Sequence, residues 1–451
     1  MKNQAGGVDR PVAIPFKFQQ LGTLPIRITL TFISLALLLT LIVTPLPPST
    51  FQLFFTRQLI DHHQSFDSLR NSTKVGSLNS SQKSVAERPK ENESCDLFSG
   101  EWVPNPEAPY YTNESCYIIP DQVNCMRFGR PDSDYLRWKW KPDGEDCNLP
   151  IFDPHQFLEL MRGKSIAFVG DSVGGNHMHS LICLLSRVVY PEFISPNKNG
   201  RDRPADEHWV YKDYNFHISK FWAPFLVRSE ISDPSDPGSP FRIYIDECDQ
   251  YWISKIERYS YIIISASQWF FKRTLVYENK TLTGCAVCDQ QQTNVAKLDF
   301  YLTYAKAFQT AFKAINGLKD FKGVTFLRTI LTPHYEGGAW NEGGNCVRIE
   351  PFKRKETSLE YLVSEMHRIQ VKELRVAQEE GQKTGLRFRL FNATHPMSLR
   401  PDGHPSKYGH PRHQTEITFN DCLHWCLPGP LDTLNDFLLE LLRREVVGRS
   451  S

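Results

Sequence analysis

Ser165-Ile-Ala-Phe-Val-Gly-Asp-Ser-Val-Gly-Gly-Asn-His-Met-His-Ser-Leu-Ile-Cys-Leu-Leu185 is the stretch that decides the fold. Ser165–Val169 is a short apolar run bounded by turn residues, which reads as a buried strand. Gly170, Asp171 and Ser172 form a turn, and a helix follows. A sharp strand-to-helix turn lifts a serine hydroxyl above the sheet edge. It also aims backbone N–H groups at developing negative charge. Gly170, Gly174 and Gly175 allow close approach of a substrate to the backbone. The plainer reading is that Asp171 and Ser172 only cap the helix.

Further apolar runs read as strands at Tyr261–Ser265, Val324–Leu327 and Phe388–Phe391. Helical spacing spans Phe300–Ile315. Thr357-Ser-Leu-Glu360 is a capping box expected to open a helix to about Glu380, with Gly381 as its stop. A last helix is expected over about Asp432–Arg444. Strands alternating with helices predict an α/β fold, a parallel sheet with helices on both faces. No internal repeat is visible.

A serine nucleophile needs a base, and the base needs an orienter. Phe419-Asn-Asp-Cys-Leu-His-Trp-Cys426 offers both. Asp421 and His424 are three residues apart, so one helical turn places them on one side. Alone, such a pair also suits a surface turn. Asp402-Gly-His404-Pro is a rival base, although an extended segment would turn its two side chains apart. His334, Glu336, Trp340 and Asn341 follow the Val324–Leu327 strand, where an open α/β sheet places its ligands. They are candidate sugar contacts, or part of a loop pinned by Cys346.

Ile28–Leu46 is an uncharged apolar run of nineteen residues. At about 1.5 Å each they nearly cross a ~30 Å hydrocarbon layer. Lys2, Arg10, Lys17 and Arg27 precede it against one acid, Asp9, which predicts a cytosolic N-terminus and a lumenal remainder. A cleaved signal peptide is the rival reading, but no small-x-small site follows. The expected organisation is a cytosolic tail (1–27), a signal-anchor helix (28–46), a disordered stem (47–94), a Cys-rich segment (95–157) and the main domain (158–447). Eleven cysteines and sequons at Asn71, Asn79, Asn92, Asn113, Asn279 and Asn392 agree with a secretory lumen. Cys285-Ala-Val-Cys288 has no second pair at zinc spacing, so no metal site is expected. The net charge of +1 gives no whole-chain support for nucleic-acid binding. Nothing in the sequence sets an oligomeric state.

The GDS and DCLHWCLPGPLD blocks resemble, in order and position, the plant trichome-birefringence-like polysaccharide O-acetyltransferases, whose PC-esterase domain is related to SGNH/GDSL hydrolases. CDLFSGEWVPNPEAPYYTNESC, WKPDGEDCNLPIFDP, the RT…PHYEGGAWNEGGNC block and LRPDGHPSKYG carry the same likeness, over roughly residues 94–445. The resemblance implies a three-layer α/β/α sandwich and a triad of Ser172, Asp421 and His424. It implies an acetyl donor, acetyl-CoA or an acylated intermediate, with no bound cofactor. The implied partner is a polysaccharide acceptor, and the wording of the blocks is most like the xyloglucan-acetylating branch, with mannan-acetylating relatives nearby. Gly170, Asp171, Gly175, Asn176, Ser267, Gln268 and Trp269 fall in blocks tied to the oxyanion or substrate, and Asp402 and His404 to substrate contact. A Golgi membrane location is implied as well. The chain departs from the family at Gly175, usually Arg, and at Ser267-Gln268, where members often read Gly-His. Those changes imply weakened catalysis or donor binding. The implied disulfides are Cys95–Cys147, Cys116–Cys183, Cys125–Cys426 and Cys346–Cys422, with Cys248 as the odd thiol. Esterase activity toward water, and a non-catalytic polysaccharide-binding role, are the two other function classes the sequence leaves open.

Overall fold

The computed structural model describes residues 95–194, 203–236, 238–288, 294–410 and 420–450. The expected tail, signal anchor and stem lie outside these residues, as do Asn71, Asn79 and Asn92. Among the described residues no helix is long and apolar enough to cross a membrane.

The strands are β1 (Gly100–Pro104), β2 (Trp138–Pro142), β3 (Ser165–Gly170), β4 (Glu192–Ile194), β5 (Glu207–Tyr211), β6 (Phe216–Trp222), β7 (Val227–Ile231), β8 (Phe241–Cys248), β9 (Tyr261–Ser265), β10 (Thr274–Glu278), β11 (Thr281–Val287), β12 (Val324–Arg328) and β13 (Arg387–Phe391). The α-helices are α1 (Pro154–Leu160), α2 (Ser172–Leu185), α3 (Gln250–Ile256), α4 (Phe300–Asn316), α5 (Tyr361–Thr384), α6 (Thr394–Ser398) and α7 (Thr433–Ser450).

A seven-stranded sheet runs β13-β12-β9-β3-β6-β5-β4. From β13 to β6 every pairing is parallel; β5 and β4 add on antiparallel. β3 is central and buried along nearly its whole length, which explains its unbroken apolar run. Chain order departs to both sides of β3, toward β6 and toward β9. Such a switch point is where open α/β sheets place their ligands, and Ser172 follows the carboxyl end of β3.

Alternate side chains of the sheet feed two cores. Ile166, Phe168, Ile218 and Ile263 pack with Phe157 of α1, Leu181 of α2 and Phe437 of α7. Ala167, Val169, Ile262 and Ile264 pack with Trp252 of α3, Phe308 of α4 and Met366 of α5. Helices thus cover both faces of the sheet. A second sheet, β11-β10-β8-β7, was not foreseen in the sequence. It shares the second core through Ile243, Ile245 and Val276.

The Cys-rich segment forms the β1–β2 hairpin-like pair and irregular loops. The indole N–H of Trp102 donates to the Pro396 carbonyl, which joins this segment to the C-terminal half. All four implied disulfides are present, and Cys285–Cys288 forms a fifth. Cys248 is free and buried.

Two helices differ from expectation at their boundaries. Thr357–Glu360 does not begin α5; the helix starts at Tyr361 and no side chain caps it. Its stop is Gly385, in the left-handed region at φ 78°, and not Gly381. Gly381 lies inside the helix, packed so closely that an added Cβ would stand 3.0 Å from the Phe388 ring. α7 continues to Ser450, beyond Arg444, and Asp432 belongs to the turn before it.

Candidate active site

The β3–α2 turn is built by two residues. Gly170 has φ 151°, and a Cβ there would lie 1.7 Å from the Ser265 carbonyl oxygen, so only glycine fits. Asp171 caps α2: one carboxylate oxygen accepts the Val173 N–H at 3.1 Å, the other the Ser267 N–H at 3.0 Å. Burial raises the Asp171 pKa, opposed by the nearby Arg328 charge and by those two N–H groups. Arg328 ends β12, is buried, and donates to the Val173 carbonyl at 3.2 Å. Burial brings its own pKa down to about 10. The sequence reading missed Arg328, whose signal was a lone cation closing an apolar strand.

The structure brings Ser172, His424 and Asp421 into one hydrogen-bonded chain. His424 Nδ1 lies 2.8 Å from Asp421 Oδ2, and His424 Nε2 lies 2.8 Å from Ser172 Oγ. A carboxylate only accepts, so the Nδ1 proton points at Asp421. Nε2 is then left to accept from the Ser172 hydroxyl. Asp421 Oδ1 also accepts the backbone N–H of Leu423 and His424. Burial pushes the Asp421 pKa up, but the His424 charge and these hydrogen bonds outweigh it and bring it to about 2. Burial likewise pulls His424 down, while the Asp421 charge and hydrogen bond, with Asp171, leave its pKa raised above 6.5.

Asp421 and His424 sit on an irregular loop, not on a helix turn as their spacing suggested; its regular feature is a bridge between Ser406 and Asp421. Cys346–Cys422 and Cys125–Cys426 clamp the loop on either side of His424. Asn176 clamps it from below. Its Oδ1 accepts the Trp425 N–H at 2.9 Å and its Nδ2 donates to the Trp425 carbonyl at 3.2 Å. Both ends of this side chain thus bond the backbone of the His424 loop, a holding role beside the expected oxyanion and substrate one.

The other candidates divide. Gly175 lies against Lys220, whose Cδ would be 3.0 Å from an added Cβ. That lysine pairs with Glu207, which also meets His179 at 2.8 Å. The Ser267 N–H is committed to Asp171, so it does not point at a substrate oxygen. Gln268 donates to the Leu331 carbonyl at 3.2 Å. Trp269 packs edge-on against Trp222. Trp340 is 53% exposed, and Asn341 is exposed beside it. Lys272 lies over both Trp269 and Trp340. Glu336 pairs with Arg348. Asp402 is buried in a two-pronged pair with Arg400, so it holds structure and cannot orient a base or reach a substrate. His404 and His334 bond to each other at 2.7 Å. Of the sequons described, Asn279 is exposed at the β10–β11 turn and Asn113 is half-buried. Asn392 Oδ1 meets His367 Nε2 at 2.7 Å.

In the first turn of α2, Asp171 already engages the Val173 N–H through its side chain and the Gly174 and Gly175 N–H through its carbonyl. The Ser172 N–H opens the helix without an intrahelical acceptor. An activatable hydroxyl, an oriented imidazole and a helix N-terminus together define a site of the acyl-ester class, on an α/β sheet edge. Residues 149–441 match the family described as "GDSL/SGNH-like Acyl-Esterase family found in Pmr5 and Cas1p", and residues 93–148 match the "PMR5 N terminal Domain". The chain belongs to this PC-esterase family, among its trichome-birefringence-like members. It is 51% identical over 356 residues to protein trichome birefringence-like 19 of Arabidopsis thaliana, covering 78% of this chain and 82% of that one. Protein trichome birefringence-like 20 of the same plant is 47% identical over 79% of this chain and 73% of its own length. Xyloglucan O-acetyltransferase 4 of Populus trichocarpa is 39% identical over 81% of this chain and 85% of its own. The family and these relatives support an enzyme of the acetyltransferase or esterase type.

Proposed function

We propose that this chain transfers an acetyl group from a donor to a hydroxyl of a plant cell-wall hemicellulose, with xyloglucan as the favoured acceptor. The observation that carries the reading is the Ser172–His424–Asp421 chain at the carboxyl edge of the sheet. Ser172 Oγ attacks the acetyl carbonyl while His424 takes its proton. The oxyanion forms next to the Ser172 N–H at the start of α2. The donor's leaving group departs with the proton from His424, which leaves acetyl-serine. A sugar hydroxyl then attacks, His424 takes that proton, and collapse returns Ser172 with the acetyl ester on the polysaccharide. Acetyl-CoA or an acylated intermediate meets the need for a donor.

The assignment of xyloglucan draws on relatives that carry that name. The uncharged run Ile28–Leu46, its basic flank and the five disulfides favour a single-pass anchor with the domain in an oxidising lumen, the Golgi by family analogy. The test is to incubate the purified protein with an acetyl donor and a panel of hemicellulose oligosaccharides, and to read product masses. Acetylated xyloglucan oligosaccharide is the expected product, absent with Ser172→Ala. Transfer by Ser172→Ala near the wild-type rate refutes the mechanism; free acetate with no acetylated sugar makes the chain an esterase.

A further inference from the structure

Two histidines stand behind the base and outside the Ser172–His424–Asp421 chain. His404 is 1% exposed. Its Nδ1 lies 2.6 Å from the carbonyl oxygen of His424. Its Nε2 lies 2.7 Å from Nδ1 of His334, whose Nε2 lies 2.9 Å from the carbonyl oxygen of Ser398. The sequence placed both histidines among the substrate contacts. In the fold every ring nitrogen of the pair faces protein, and none is left for a ligand.

The protons can be counted. Carbonyl oxygens only accept, so each end of the relay calls for an N–H, and the middle contact needs one more. Two neutral imidazoles supply two. Two arrangements serve two contacts each. We take the one that puts Nδ1–H of His404 on the His424 carbonyl, because the other sets a bare nitrogen against that oxygen at 2.6 Å, closer than the 2.9 Å at Ser398. His404 Nε2 is then a bare lone pair, and His334 must present Nδ1–H to it. His334 Nε2 faces Ser398 without a proton. The two tautomers go together: a donor at His334 Nδ1 holds His404 with its proton on Nδ1.

Both rings are neutral in neutral solution. Burial lowers His334 to about 4, against the Ser398 carbonyl and the charges of Asp402 and Glu336. Burial also lowers His404 well below 6.5, reinforced by His334 and Arg130 and opposed by the His424 carbonyl and Asp421. Arg130 donates to the carbonyls of both Asp402 and His404, and the Trp425 ring lies 4.6 Å from the His404 ring. The relay is fixed on every side.

We propose that His404 is a positioning residue for His424, holding the backbone of the base through its Nδ1–H, and that a donor at His334 Nδ1 holds the tautomer that makes this possible. The inference rests on the reading of His424 as the general base. An asparagine amide nitrogen falls where histidine Nδ1 lies, and a glutamine amide nitrogen falls nearer Nε2. The full chain is therefore assayed for acetyl transfer as His404→Asn and His404→Gln, with Ser172→Ala as reference. His404→Asn should keep kcat within about 3-fold. His404→Gln should lose roughly 10–100-fold in kcat, the scale of a small misplacement of a catalytic group. Its acceptor KM should stay within about 2-fold, and the acid limb of its pH profile should move. If His404→Gln loses its near-ultraviolet circular dichroism, the His334→Asn and His334→Gln pair takes its place. Asn keeps the donor toward His404 and Gln does not, so the same order is expected. Equal kcat for the Asn and Gln variants, or a rise in KM with kcat intact, overturns the inference while an inactive Ser172→Ala leaves the catalytic reading standing. An active Ser172→Ala overturns both.

Discussion

Asn176→Ala separates a positioning role from a substrate role at one residue. Asn176 is 4% exposed and serves the N–H and the carbonyl of Trp425, the residue that follows His424. Truncation leaves two buried backbone groups without partners. Each costs about 1–3 kcal/mol, so the loss is about 2–6 kcal/mol. Trp425 is fully buried, which leaves water little access and favours the upper part of that range. At ~2–4 °C per kcal/mol for a domain of a few hundred residues, Tm should fall by roughly 5 °C or more. The His424 loop loses its lower clamp, so kcat should fall at temperatures where the protein is still folded. Thermal unfolding by near-ultraviolet circular dichroism and steady-state kinetics on the same preparation give both numbers. Asn176→Asp can still accept the Trp425 N–H but cannot donate to the carbonyl, and should lie between Ala and wild type in Tm. An unchanged Tm with only acceptor KM raised would refute the clamp and leave Asn176 with the substrate role alone.

Asp421→Asn should keep the fold and lower kcat by about 10³–10⁴-fold, because the amide supports the wrong His424 tautomer; rates and circular dichroism check it. Asp421 also holds the His424 pKa above 6.5, so wild-type kcat/KM should fall as pH drops through that raised value. Residual activity of Asp421→Asn should have its acid limb at lower pH. Asp432 accepts from Tyr111, Ser180 and Gly429, and burial raises its pKa from 3.8 to about 6. The folded state binds the extra proton between those values, so this group's stabilisation is present at low pH and lost as pH rises to about 6, by up to about 3 kcal/mol. Urea titrations at stepped pH should show that slope, and Asp432→Asn should lack it. Gly170→Ala should not yield folded protein on expression, since its Cβ would meet the Ser265 carbonyl at 1.7 Å.

The central strands and the Ser172 turn were legible because each is a local pattern. β3, β9, β12 and β13 are apolar runs between turn residues, and Asp171 caps α2 from the adjacent position. Capping boxes are also local, yet Thr357–Glu360 misled, because the motif describes residues at a helix start and the chain there stays non-helical until Tyr361. The second sheet escaped notice because β7, β8, β10 and β11 alternate polar and apolar residues irregularly and carry register shifts. Asn176 and Trp425 are 249 positions apart, and His334 and His404 are 70 apart. No periodicity encodes such pairings. Their residue types marked them as important, but only the fold shows that they act on the protein's own backbone.

The two halves of the site are held by different physics. Ser172 is fixed by regular structure: a central strand, a glycine that no other residue can replace, and a capped helix. His424 has no such support, since its loop is irregular and lies next to residues 411–419, outside those described. Beside the Ser406–Asp421 bridge, covalent and side-chain attachments stand in for secondary structure there: Cys346–Cys422, Cys125–Cys426, Asn176 on Trp425, and His404 on the His424 carbonyl. They fix the backbone of the base before any substrate arrives, which removes its reorganisation from the reaction barrier. Loosening any of them should therefore lower kcat and spare acceptor KM, whereas loss of the exposed Trp340 should do the reverse if that indole meets sugar. That opposite split is what separates a loop built to hold a base from a surface built to hold a chain of sugars.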